Sequence, residues 1–287
     1  VEKKKTLAKV TIPPELAGWT VAAVLKDELR LSARQRQKVV RTRGIRLDGK
    51  PVHSLVKVKV GQVLEVLLPE AEQVKVPARP LSLDVIYEDE YLLVVNKPAG
   101  VAVHNVRPGG YVSLVEGAAY YFQQHGRTIT PRPVHRLDKD ASGVVIFAKS
   151  AQVQDQLTKT WPEAEKIYWV QVHGRITDRG VITSPVKGKP AATEYTPLET
   201  GEDVTTLQVR LHTGRTHQIR IHLSQIGHPV VGDPLYGYGE NQPLALHCRQ
   251  ITIIHPAFNQ PIQFAAPLPK TLAKKSPEHY NGKGIKS

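Results

Sequence analysis

Five consecutive apolar residues, Val144-Val145-Ile146-Phe147-Ala148, follow directly on a polar stretch, Val134-His135-Arg136-Leu137-Asp138-Lys139-Asp140-Ala141-Ser142-Gly143. The run is mostly β-branched, which predicts a buried strand. Thr130-Pro131-Arg132-Pro133, just before it, forbids a regular helix. The polar stretch is rich in Asp, Ser and Gly and reads as a loop delivered to the start of that strand. Turn chemistry alone would use Asp138 and Asp140 to bond nearby backbone amides. A rigid strand holding a carboxylate in a polar loop is also a way to position a nucleophile or a base.

The remaining elements follow in order. Residues 1–12 read as a polar arm that Pro13-Pro14 keeps from being helical. Val21, Val24, Leu25 and Leu29 have helical spacing. Ser32 with Gln35 three residues on predicts a capped second helix, ended by Gly44 as its left-handed residue. The other face of that helix carries Arg34, Arg36, Lys38, Arg41 and Arg43, and Arg46 follows. Asp48-Gly49 predicts a hairpin turn, and a further strand pair is expected around Val58 to Leu68 with Gly61 at its turn. Glu70 to Pro80 reads as a linker.

Two strands around an acidic turn are expected from Leu83 to Val95, ending in the tight turn Asn96-Lys97-Pro98-Ala99-Gly100. Helices are expected over 112–124, capped by Ser113 or an earlier residue, and over 151–160; strands over Lys166–Val172, Glu194–Leu198, Thr205–Leu211 and Leu244–Ile254. Thr216 is a candidate N-cap for a helix that Gly227 ends, and Gly232–Gly237 reads as a loop. His255-Pro256 to Pro269 predicts a proline-punctuated hairpin, and the tail from Lys270 is basic and expected to fray. Strands and helices mix without regular alternation, so the body reads as α+β.

Charge points to the partner. The chain carries +13, and it is uneven: residues 1–75 hold 16 Lys and Arg against 8 Asp and Glu, a net of +8, which leaves +5 to the other 212. A basic first quarter suggests a polyanion, nucleic acid first. A basic helix can neutralise phosphates without reading bases. No run approaches a membrane span, no signal-peptide pattern opens the sequence, and the single cysteine, Cys248, excludes an intrachain disulfide. These point to a reducing, cytoplasmic compartment, with Cys248 as a small buried hydrophobe.

Three pieces carry the chemistry: His135-Arg136-Leu137-Asp138 with Asp140-Ala141-Ser142-Gly143; Lys166-Ile167-Tyr168; and Thr213-Gly214-Arg215-Thr216-His217-Gln218-Ile219-Arg220-Ile221-His222. With Asn96-Lys97-Pro98-Ala99-Gly100 and Gly232-Asp233-Pro234-Leu235-Tyr236-Gly237 they resemble, in this order, the RluA-type pseudouridine synthases over residues 80–269. Residues 13–75 resemble the S-four RNA-binding module named after a ribosomal small-subunit protein.

The resemblance implies an α+β catalytic domain with a mixed, largely antiparallel sheet over 81–269. A small α/β RNA-binding domain over 13–75, a linker over 76–80 and a basic tail over 270–287 complete the chain. It implies an RNA pseudouridine synthase that needs neither metal nor cofactor and acts on structured RNA, ribosomal rather than transfer RNA. A transfer RNA enzyme and a non-catalytic ribosome-assembly factor remain open. Asp138 matches the family's catalytic aspartate, Arg220 the arginine that pairs with it, and Tyr168 the active-site tyrosine. Arg136 matches an arginine that enters the RNA stack beside the extruded nucleotide; a salt bridge to Asp138 or Asp140 is its competing role. His135, His217 and Ile219 are assigned with it to substrate binding.

Two departures stand out, Ala141 where threonine is usual and His104-Asn105 where His-Pro is common. His212, His217, His222 and His228 are spaced five and six apart, not the four that places two ligands on one helical face, so no metal site is expected. Ser142 with a histidine lacks the surroundings of a hydrolase nucleophile.

Overall fold

The computed structural model describes residues 4–69, 76–104, 110–239 and 242–273, and the chain divides into two compact units, 1–75 and 76–287.

In the first unit a four-stranded sheet has the order β1-β4-β2-β3, with β1 Lys4–Thr11, β2 Ile45–Leu47, β3 Lys50–Pro51 and β4 Val63–Pro69. The expected polar arm is therefore a strand. Ala8, Val10 and Ile12 alternate inward, while Lys9 points out and pairs with Glu65 at 2.7 Å. A lysine on an edge strand discourages further pairing.

The first helix starts as α1, Val21–Ala23, and continues as a π-helical turn over Val24–Glu28. The second, α2, is Ala33–Arg41, with the full Ser32–Gln35 capping box. Its left-handed terminal residue is Arg43 (φ 49°), not Gly44. Gly44 is needed for another reason: the Leu67 N–H bonds its carbonyl at 2.6 Å, and a Cβ there would sit 1.9 Å from the Leu67 oxygen.

Asp48 and Gly49 both have positive φ, as the expected mirror-image hairpin turn requires. The strand expected near Val58 does not form, because the Val58 amide and carbonyl are taken by Trp19 and Gly18.

The second unit is built on a ten-stranded sheet whose main path runs β10-β11-β12-β9-β13-β8-β6-β5. These strands are β5 Asp84–Glu88, β6 Leu92–Lys97, β8 Ser142–Ala148, β9 Glu165–His173, β10 Gly180–Ile182, β11 Thr193–Thr200, β12 Val204–Leu211 and β13 Leu246–Ile254. Two short strands, β7 Arg132–Pro133 and β14 Pro261–Ala265, pair with β8 and β13. Among the described residues only β13 and β8 run parallel. The sheet is thus mixed and mostly antiparallel.

All seven residues of β8 are buried, as the apolar run requires. The helices are α3 Leu114–Gln124, capped by Ser113 and Glu116 reciprocally, α4 Ala151–Thr160, α5 Gln218–Gln225 and α6 Lys270–Ala273. Residues 270–273 are therefore helical rather than frayed, with Leu272 buried against Trp169, Val231 and Ala245. The rest of the expected tail, and residues 70–75 of the expected linker, lie outside the described residues. Among the described residues no helix is long and apolar enough to cross a membrane.

Gly143 decides how β8 meets β13. It has φ 115°, and a Cβ on it would lie 2.2 Å from the Cys248 carbonyl oxygen. Two backbones approach here because no side chain separates them. Gly143→Ala is expected to destabilise the unit by at least about 3 kcal/mol, combining a forbidden φ with a backbone clash. Chemical denaturation measures it, and a loss under about 1 kcal/mol would refute the packing argument.

Candidate active site

An open cleft of about 110 Å³ lies where the loop before β8 faces β9 and the start of α5. Arg136, Leu137, Asp138, Ala141, Tyr168, His217, Ile219 and Arg220 line it, joined by the loop Gly214–Thr216. Three segments far apart in sequence thus converge.

Asp138 occupies the loop ahead of β8, with 16% of its side chain exposed. Its Oδ2 accepts from Arg220 Nη1 at 3.2 Å, and its Oδ1 lies 3.7 Å from His217 Nε2. The expected Asp138–Arg220 pair is present, but it is not the main one. Arg220 Nε and Nη2 both donate to Asp233, each at 2.6 Å. Asp233 is buried, and its Oδ1 also accepts from the Leu235 and Tyr236 amides.

Burial alone would weaken the Arg220 charge; Asp233 first, then Asp138, outweigh it and raise its pKa. Burial likewise opposes the Asp233 anion, and Arg220 overcomes it and lowers that pKa. Asp233 is therefore a clamp that aims the third guanidinium nitrogen at Asp138. In the sequence Asp233 reads as part of the loop Gly232–Gly237, the one signal there of its place in the site.

Lys97 is the second residue not anticipated. It is fully buried, and its ammonium donates to the carbonyls of Pro98, Val101 and Lys139 at 2.9, 2.7 and 2.9 Å. The Gly100 amide also bonds the Lys139 carbonyl at 2.9 Å. The turn after β6 thus grips the residue next to Asp138. Burial pulls the Lys97 pKa down to about 8, against the pull of Asp140 and Asp138.

Tyr168 stands on β9 opposite Cys248 of β13 and is almost fully buried at the cleft floor. Burial raises its pKa well above 10, and Cys248 and Asp138 add to this. It is held as a phenol, able to donate a hydrogen bond or present a ring face. Cys248 is buried in the core as expected, its thiol pushed up to about 12 by burial.

His217 and Ile219 line the cleft as expected. Thr216 does not cap α5. His217 occupies the N-cap with φ 58° and no side-chain cap. The loop is instead fastened by Gln218, whose Oε1 accepts from Thr213 Oγ1 and the Arg215 amide while its Nε2 donates to the Ala192 carbonyl and Thr193 Oγ1. Tyr236 supports both sides, with its hydroxyl 3.1 Å from His217 Nδ1 and its ring 5.2 Å from the Arg220 guanidinium carbon. Gly227 ends α5 with positive φ.

His135 does not belong with these residues. It stacks on Trp161 with ring centroids 4.7 Å apart, and its Nε2 accepts from the Ile146 amide at 3.1 Å. Burial, then Lys166, lowers its pKa to about 3. It is a neutral structural acceptor outside the cleft lining, which corrects its assignment to substrate binding. Arg136 is exposed at the cleft lip, and among the described residues it makes no ion pair with Asp138 or Asp140. Ala141 is buried beside the cleft.

On the first unit Arg41, Arg43 and Arg46 are exposed, Lys38 is half-buried and Arg36 donates to the Leu31 carbonyl. The Arg34 side chain lies outside the described residues.

Ser142 does meet a histidine. Its hydroxyl lies 2.8 Å from His247 Nδ1, and His247 Nε2 faces the Ala266 carbonyl at 3.3 Å. A carbonyl only accepts, so Nε2 carries the proton and Nδ1 accepts from Ser142. Both residues are buried within strands and neither lines this cleft, so the pair links β8 to β13.

Burial lowers the His247 pKa to about 4. Its neutral form contributes fully above pH 6.5, the ordinary value, and that contribution is lost as pH falls from 6.5 towards 4. Wild-type stability should therefore drop over this window on the order of 3 kcal/mol more than that of His247→Gln. Urea midpoints measured against pH test this, and parallel curves would exclude it.

The fold is that of pseudouridylate synthase domains. Human RNA Pseudouridylate Synthase Domain Containing 4 superposes with a TM-score of 0.56 at 23% identity, covering 66% of this chain and 90% of that one. Human RNA Pseudouridylate Synthase Domain Containing 1 gives 0.55 at 26% identity over 67% and 86%. Residues 91–225 match the family described as RNA pseudouridylate synthase. A Bacillus subtilis (strain 168) protein named uncharacterized RNA pseudouridine synthase YhcT is 32% identical, over 91% of this chain and 93% of its own. Ribosomal large subunit pseudouridine synthase D of Nitrosomonas europaea is 30% identical over 95% and 88%.

The chain therefore belongs to the RNA pseudouridine synthase family: it is an isomerase that converts uridine in RNA to pseudouridine.

Proposed function

We propose that the enzyme modifies uridine in large-subunit ribosomal RNA, with Asp138 as the catalytic carboxylate. The observation that carries the reading is Asp138 itself, mostly buried in an open cleft and held by a guanidinium that Asp233 keeps in place. The reaction breaks the bond from ribose C1′ to uracil N1 and forms one from C1′ to C5. The C5 proton leaves and N1 ends protonated, so atoms balance without a co-reactant.

A carboxylate supplies the electron pair or takes the proton that this rearrangement needs. Tyr168, being a phenol, serves as a stacking face and hydrogen-bond donor rather than as the base. Arg136 fills the gap left by the extruded uridine, a planar cation offsetting a few kcal/mol of unstacking.

Three features support the ribosomal target: the relatives named ribosomal large subunit pseudouridine synthase D, the basic first unit, and the exposed arginines at 41, 43 and 46. The first unit serves as an S-four-like RNA-binding module over 13–75, extended by β1, and the catalytic domain covers 81–269. Such a substrate puts the enzyme in the cytoplasm.

The test uses large-subunit ribosomal RNA and transfer RNA transcribed with tritium at uracil C5. Release to water from the ribosomal transcript alone is expected. Release only from transfer RNA would overturn the target, and release from neither would overturn the reading.

A further inference from the structure

The segment between β10 and β11 ends in a very tight turn. Val186 and Lys189 exchange both backbone hydrogen bonds, at 2.9 and 3.1 Å, around Lys187-Gly188. Lys187 has φ 51° and Gly188 φ 73°. This mirror-image two-residue turn is ordinarily filled by Asn-Gly, and a lysine at its first position is poor turn chemistry. A side chain held in a disfavoured backbone region points to a use outside the turn.

The surroundings indicate the use. Val186 is buried and roots the turn, while Lys187 and Lys189 are exposed. Arg215 of the cleft donates from Nε to the Pro190 carbonyl at 3.0 Å, which ties the cleft loop to this turn. Lys187 is close enough to His217 for its charge to add to burial and Arg220 in lowering that imidazole's pKa. Among the described residues Lys187, Lys189 and Arg215 form no ion pair with a carboxylate, and neither does Arg136; of these four, Arg136 and Arg215 line the cleft itself. A cleft that admits a uridine must have that nucleotide's flanking phosphates at its mouth.

We infer that Lys187, Lys189 and Arg215 form a phosphate-gripping rim that holds the backbone of the RNA strand carrying the target uridine. This rests on the cleft being the uridine site. The rim belongs to the catalytic unit and acts separately from the basic helix of the first unit. Its contacts are to phosphate, so it adds affinity and register without reading sequence.

The full-length protein and the variant Lys187→Asn/Lys189→Gln would be titrated with a large-subunit ribosomal RNA transcript at salt from about 50 to 200 mM. Asparagine suits the turn better than lysine, so the variant keeps the fold while losing two charges. The logarithmic salt slope should fall by about 1.4 to 1.8, and affinity at physiological salt should weaken about tenfold. The control Lys159→Gln/Arg175→Gln removes the same charge from two residues that already pair with carboxylates, Asp155 and Glu202, and should leave the slope unchanged. An unchanged slope in the turn variant, or an equal fall in both, would overturn the rim. Because binding is read directly, a wild type that released no tritium would sink the catalytic reading and leave this test intact.

Discussion

Asp138→Asn should lower pseudouridine formation by about 10⁴-fold or more, the scale on which loss of an essential acid–base or nucleophilic group falls. The variant keeps the shape of the side chain and one oxygen for the Arg220 Nη1 bond. What it loses is the charge and the reactive electron pair. RNA affinity should stay within a few fold, because phosphate contacts and not this carboxylate dominate binding. Tritium release under single-turnover conditions, beside a binding titration, separates the two effects. Turnover within tenfold of wild type would remove Asp138 from the chemistry, and with it the proposed mechanism.

Asp233→Ala should destabilise the catalytic unit by about 3–5 kcal/mol, the usual consequence of leaving one member of a buried ion pair alone. Arg220 would keep only the 3.2 Å contact to Asp138, and the Leu235 and Tyr236 amides would lose their acceptor. For a unit of this size the unfolding midpoint should fall by about 10 °C. A shift of less than about 2 °C would mean that Arg220 is held by something else. Activity measured below the new midpoint should fall too, since a guanidinium freed of its clamp no longer fixes the direction of Asp138.

The elements legible in the residues are those set by local physics. The β-branched run after Ser142-Gly143 had to be a strand, and Ser32 with Gln35 and Ser113 with Glu116 cap their helices as their spacing requires. Asp48-Gly49 makes its turn for the same reason. Where sequence reading failed, a distant partner had taken over. The Val58 amide is satisfied by the Trp19 carbonyl and the Val58 carbonyl by the Gly18 amide, and the lysine-rich opening segment found an edge of β4 to pair with.

Asp138 and Arg220 are 82 residues apart, and nothing local in either segment brings them together; the resemblance named them. Their supports were not named. Lys97 reads as an ordinary turn lysine, and only folding surrounds it with three carbonyls. Asp233 reads as a loop residue until α5 turns Arg220 toward it, and His135 reads as a cleft residue until Trp161 covers its ring.

The sequence by itself therefore determined which groups are chemically able to act and which capped, turn-forming or continuously apolar stretches are helix, turn or strand, because those depend on residue type and near neighbours. The tertiary structure alone decided which of those groups share a cleft, which are held in place, and which are merely buried, because burial and charge pairing depend on residues the chain brings together only by folding.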